Sequence, residues 1–314
     1  MPSNLGALTS GGLADIDPTK FAGLTPTQLD ALKPAALAGL SQEQLANMKP
    51  ASLGSLSASQ FSALPPASMA GLKPEQLAAM GPNEIKGMTP DMLDAIPAAA
   101  LSALSYDQML ALKPAVMSQI SGEQVAALSA KAMGALSKEQ LARIPLESIA
   151  AISSGQLDKL SPASFPGFSP EQFADLRPAI LSVIDPKQFV GLKPAVMGVM
   201  TAEQFAAFTP ATVKSITIPQ IDSLAPAALA GMAPNEITGL SDAKIAKLDA
   251  PQIGNLPTAT FAAMKPSQLA AMAPADVPGM TAPQLEALSP RQVDALKPAV
   301  VGAMSAEQKS ALTQ

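Results

Sequence analysis

The chain has 314 residues, 48% of them hydrophobic, with 31 Pro, one Tyr (Tyr106) and no His, Cys or Trp. Without His or Cys it cannot build a Ser-His-Asp triad, a Cys-His pair, a disulfide, or a zinc site on imidazole or thiolate. Its net charge of −5 is spread along the sequence and supplies no basic stripe to neutralise phosphates, which disfavours nucleic acid as a partner.

No stretch approaches the roughly 20 consecutive apolar residues needed to span a membrane. The start, Met-Pro-Ser-Asn-Leu-Gly, lacks the basic and apolar regions of a secretory signal. That predicts either a cytoplasmic protein or a portion of a longer one.

From Leu5 and Leu8 onward an eight-residue period runs through the chain. All 39 residues whose numbers are multiples of eight are Leu, Ile, Met or Phe, from Leu8, Ile16 and Leu24 to Leu296, Met304 and Leu312. The residues five places further on, Leu5, Leu13, Phe21, Leu29 and their successors, are apolar up to Val301 and break only at Lys309. Spacings that alternate five and three fit neither a strand nor one long helix. They define a repeat without insertions.

Proline marks where each unit starts. Twenty-two of the 31 Pro fall two places after the multiple of eight, as at Pro2, Pro18, Pro26, Pro34 and Pro298. A continuous helix cannot carry Pro at that interval, but the first residue of a new helix can. The slot before is Ser or Thr in 20 octads, and in thirteen of these Gln follows three residues later, as in Thr25/Gln28, Ser41/Gln44 and Ser137/Gln140. This is the capping box, and the two apolar anchors fall at the staple positions N′ and N4. Each octad therefore reads as a cap, one to two turns of helix, and a stop. Gly near the stop, as at Gly23, Gly39, Gly71, Gly191 and Gly231, is expected to end the helix in a left-handed conformation.

Helices this short have no stability alone, so they must stack into a coil with a shared apolar core. The predicted fold is all-α: an elongated solenoid of about 39 one-to-two-turn helices, without a sheet, running as one continuous unit over 1–314 with no separate cap domain. A β-solenoid is disfavoured by the Pro and capping positions and by the Ala-rich filler.

A second period of sixteen overlies the first. Gln28, Gln44, Gln60 and Gln76 recur in alternate octads, and the series resumes from Gln108 to Gln220. Met92 and Glu236 interrupt it, while Gln292 and Gln308 fall one octad out of phase. The simplest cause is an even number of octads per superhelical turn, two or four. Two per turn predicts a rod on the order of 150–190 Å at ordinary helix spacing, and four predicts half that.

Candidate chemistry is sparse. Asp91 and Asp94 could share a helical face, Asp15 and Asp17 flank Ile16, Asp242 and Asp249 bracket Lys244 and Lys247, and Glu286 has no acidic residue near it in sequence. All read as solvated positions. No calcium loop or phosphate-binding glycine loop is present. No catalytic, cofactor-binding or metal-binding residue is expected, and no cofactor. Tyr106 reads as a surface packing residue. The Lys-Pro series (Lys33, Lys49, Lys73, Lys113, Lys193, Lys265, Lys297, with Arg177) could bind an anionic polymer, although cationic side chains covering apolar edges for solubility account for it better.

The octads Leu24–Ala31 (Leu-Thr-Pro-Thr-Gln-Leu-Asp-Ala) and Leu288–Ala295 (Leu-Ser-Pro-Arg-Gln-Val-Asp-Ala) resemble tandem octapeptide stretches of large bacterial surface and adhesin-like proteins. The resemblance implies an extracellular or cell-surface structural role and carries no catalytic residue. The expected function is a non-enzymatic rod or stalk that self-associates head to tail into a filament or fibre. A binding scaffold for a peptide or anionic polymer is the first alternative, and an ice- or surface-binding rod the second.

Overall fold

Short capped helices fill the chain. A computed structural model describes residues 5–313 and contains 32 α-helical and seven 3-10 segments, none longer than six residues. Among the described residues there is no strand. Pro2, read as a helix start, lies outside them. The fold is all-helical and repetitive, as the octads predict. The chain divides into two compact units, Met1–Gly167 and Phe168–Gln314, each a coil of the same kind.

Local chemistry explains each helix. Of the thirteen Ser/Thr–Gln pairs, twelve form the reciprocal capping box. In the thirteenth the Ser289 hydroxyl donates to Gln292 Oε1 instead of accepting a backbone N–H. Asp185 and Asp249 cap in the same way, with Gln188 and Gln252. Where Lys precedes Pro, as at Lys33 and Lys49, no side chain caps the helix. The missing proline N–H leaves one donor fewer to satisfy, and the residue before Pro is held extended.

The helices do not end in the expected way. No described residue, Gly included, has a positive φ. Gly191 follows its helix with φ −70°, within the right-handed region. The chain instead turns extended at or just before the next anchor, as at Met48 (ψ 143°) and Leu24 (ψ 129°), and enters the following cap. The glycines serve close approach. A Cβ on Gly231 would lie 2.0 Å from the Ala202 carbonyl oxygen, and one on Gly39 would lie 2.0 Å from that of Ser10. Gly71, Gly167 and Gly279 stand in the same relation to Gln42, Lys138 and Ala250. Gly23 has open space around its missing Cβ, so nothing in its surroundings explains it.

Stacking follows a step of 24 residues. In the first unit, the helix Gln42–Asn47 packs between the segments Pro18–Gly23 and Pro66–Gly71. In the second, Ala250–Gly254 packs between Pro226–Gly231 and Pro274–Gly279. Every substantial helix–helix contact within each unit has this spacing, so a turn of the coil holds three octads rather than the two or four expected. An odd number gives the sixteen-residue alternation a different meaning. Each Gln-bearing octad is stacked between two octads of the other class, so a long amide meets a small or hydroxyl residue in the turn above it. Gln44, for example, lies one turn below Ser68.

The anchors form the core. Every anchor from Phe21 to Leu285 is buried, with no more than 4% of its surface exposed. Fully burying such a side chain contributes about 1.5–3 kcal/mol, and repetition makes this the main stabilising term. In the second unit Phe208 packs edge-on to Phe189 and Phe205, with ring centroids 4.9 and 6.2 Å away.

Candidate functional site

The one arrangement of polar side chains that recurs throughout is a ladder of buried glutamines. In the Ser137–Leu141 region, Gln140 Oε1 accepts the Ser137 N–H at 2.8 Å, completing the local cap. Its Nε2 then donates to the Met109 and Leu112 carbonyls, both at 2.8 Å, on the preceding turn. Gln44 does the same to Leu13 and Ile16, Gln76 to Leu45 and Met48, Gln220 to Phe189 and Leu192, and Gln284 to Ile253 and Leu256. The acceptors always lie 31 and 28 residues earlier in these clamps. One amide thus closes its own helix start and ties it to the turn beneath. Among the described residues no buried side-chain nitrogen or oxygen is left without a partner.

The intervening octads use hydroxyls for a smaller version of the same bond. Ser52 donates to the Leu24 carbonyl at 2.6 Å, Thr212 to Ile184 at 2.8 Å and Thr260 to Met232 at 2.6 Å, each 28 residues earlier. The capping motif concealed this second role, since a local box works equally well with Glu. The signal that could have revealed it is the preference for Gln: only the amide has a donor left over.

Two carboxylates occupy the slot where an amide donor is usual. Glu236 is 3% exposed, and its Oε2 accepts the Ala233 N–H at 2.7 Å. Burial raises its pKa, and the Ala233 bond opposes that shift only in part. Asp276 accepts the Ala273 N–H at 2.7 Å; burial raises its pKa, that bond lowers it, and Asp249 adds a further upward push. Lys244 fills a third such slot and donates to the Lys214 carbonyl at 2.7 Å. Its pKa is lowered by burial and then by Lys214.

The acidic candidates do not assemble into a site. Asp91 and Asp94 are both exposed, and Asp91 accepts from Gln119 Nε2 at 3.0 Å. Asp15 and Asp17 are exposed as well; Asp17 caps its segment through Thr19, whose hydroxyl and N–H hold the carboxyl below its ordinary pKa. Asp242 accepts from the Ser267 hydroxyl, and Asp249 caps the helix Ala250–Gly254. Glu286 differs from its sequence reading: it lines a groove of about 440 Å³ together with Asp294, which the fold brings to the same place. Among the described residues no group of three potential metal ligands occurs.

The Lys-Pro cations are all exposed but do not form one row. Of the eight, only Lys49 and Lys73 stand one 24-residue turn apart, so nothing stacks them into a continuous anion-binding edge. The two ion pairs described, Lys138–Glu139 at 3.8 Å and Lys159–Asp158 at 2.9 Å, join exposed chain neighbours and add little to stability. Tyr106 is 39% exposed and lines a shallow groove with Leu110, Lys138 and Glu139. No described helix is long and apolar enough to cross a membrane.

Only the outermost turns break the burial pattern. Leu8 and Ile16 in the first unit, and Leu288, Val293, Val301 and Leu312 in the second, are half-buried, although each is an anchor. The groove holding Glu286 and Asp294 is walled by Leu288, Val293 and Leu312. No protein-family model matches the chain, and no curated protein matches it either.

Proposed function

We propose that the chain is a non-enzymatic structural protein, a solenoid rod whose copies join head to tail into a filament or fibre. The observation that carries this reading is the distribution of anchor exposure. Anchors are buried from Phe21 to Leu285, and partly exposed ones occur only in the first and last turns. Those two surfaces are different parts of the same repeat, so contact between them is heterologous. Such contact propagates unless a rotation closes it. The dispersed cations and the absence of a clustered acidic site among the described residues leave less support for polyanion binding or for catalysis.

Sedimentation velocity over a concentration series, with negative-stain microscopy of the same samples, tests the proposal. Mass should rise with concentration, and filaments of constant width should form. A single monomeric species at high concentration, with only dispersed particles on the grid, overturns it.

A further inference from the structure

The glutamine ladder also specifies how two copies would meet. Resting on the head-to-tail reading, we infer that residue 1 of an incoming copy takes the place of residue 313, and that its Gln28 clamps the Lys309 and Leu312 carbonyls of the copy before it. Gln28 has the local half of the clamp: its Oε1 accepts the Thr25 N–H at 2.9 Å, and its own N–H bonds the Thr25 hydroxyl. No residue lies 28 or 31 places before it, so its own chain offers no carbonyls for the second half. It is accordingly half-buried, while Gln44 is 1% exposed. In the stated register the missing positions fall on Lys309 and Leu312.

The same register covers the open anchors. With a 24-residue step, Leu5, Leu13 and Leu24 of the incoming copy stack on Val293, Val301 and Leu312, which are half-buried in the free chain.

It also explains the slip in the sixteen-residue alternation. The repeat has 39 octads, an odd number, so strict alternation would place two octads of one class in succession at every joint. Gln292 and Gln308 are one octad out of phase. With that shift, Gln308 and the incoming Gly12 and Gln28 fall at successive sixteen-residue intervals. The alternation then continues across the joint, so each clamp again lies between octads of the other class.

The chain contains no Cys, so single thiols report position cleanly. Thr19 and Glu307 are exposed and lie 24 residues apart through the joint, whereas Thr27 is exposed one octad out of register. Mixing Thr19→Cys protein with Glu307→Cys protein and a short bis-maleimide should give a cross-linked dimer. Mixing Thr27→Cys with Glu307→Cys should give at least tenfold less. Association without that preference overturns the register while leaving head-to-tail assembly standing; no association in sedimentation of the same proteins overturns both. Gln28→Glu supplies a second readout, because it keeps the acceptor for Thr25 and removes only the donor. It should weaken association about tenfold or more, as expected for two lost hydrogen bonds, while leaving monomer melting unchanged. Unchanged association of Gln28→Glu refutes the clamp.

Discussion

Gly231→Ala should lower the melting temperature of the protein by roughly 6–12 °C, the shift expected for about 3 kcal/mol in a unit of this size. The segment Pro226–Gly231 runs against the helix Ala202–Ala206, and the added methyl would sit 2.0 Å from the Ala202 carbonyl oxygen. That atom belongs to backbone, so no side chain can rotate away. The two turns must separate, which loosens the anchors between them. Gly155→Ala is the matched control. Gly155 lies within the helix Ser154–Lys159 and has nothing within 4 Å of the position its Cβ would take. There the substitution should stabilise by about 0.5–1 kcal/mol, because Ala restricts the unfolded chain more than Gly does. Calorimetry of the two variants beside the parent checks both. Similar melting for Gly231→Ala and the parent would show that the turns are not packed as described.

The second large effect concerns the ladder and depends on pH. Gln140→Glu keeps the acceptor for the Ser137 N–H but turns a second oxygen toward the Met109 and Leu112 carbonyls, where an amide donor stood at 2.8 Å from each. A charged carboxylate there loses two bonds in a buried place, at a cost of about 3 kcal/mol near pH 8. The new carboxyl is predicted to have a raised pKa in the folded state. Its neutral form therefore contributes stability that is fully present below the unfolded carboxyl pKa and lost as pH rises through the folded one. Glu236 is the natural counterpart, with burial raising its pKa above the ordinary 4.5. The helices packed against its own, Pro210–Ser215 and Thr258–Ala262, carry one charged residue, the exposed Lys214. Glu236→Gln should restore the donor, raise stability at neutral pH and flatten the dependence between pH 4.5 and the folded value. Urea midpoints measured from pH 4 to pH 8 distinguish the outcomes. A Gln140→Glu midpoint that matches the parent at every pH would remove the inter-turn role of the ladder.

Much of the fold was legible before the structure. Anchors such as Leu24 and Phe61, caps such as Ser41 and Ser137, and Pro at the first helical position each follow from local chemistry that a sequence displays directly. What remained hidden involves relations between turns. The alternation of Gln44, Gln60 and Gln76 is compatible with like octads stacked at an even step or unlike octads stacked at an odd one, and only contacts 24 residues apart decide. Gly39 and Gly231 raised a similar ambiguity, since a left-handed stop and a close backbone approach both require the missing Cβ. The groove shared by Glu286 and Asp294 depends on which turns face outward, a tertiary property with no local signature. The absence of a compact catalytic constellation was expected from composition, and among the described residues the acidic side chains named above serve as caps, hydrogen-bond acceptors or exposed groups.

Three octads per turn is the relation on which the ladder, the glycine contacts and the proposed joint all depend. Pulsed electron–electron resonance between nitroxides on introduced cysteines tests it directly. Ser59, Glu75, Asn83 and Asp91 are exposed and occupy equivalent octad positions in the first unit. The 59–83 pair should give the shortest distance, reflecting helix axes about 8–10 Å apart, with 59–75 and 59–91 both longer. A shortest distance for 59–91 would mean four octads per turn, one for 59–75 would mean two, and either would contradict the architecture.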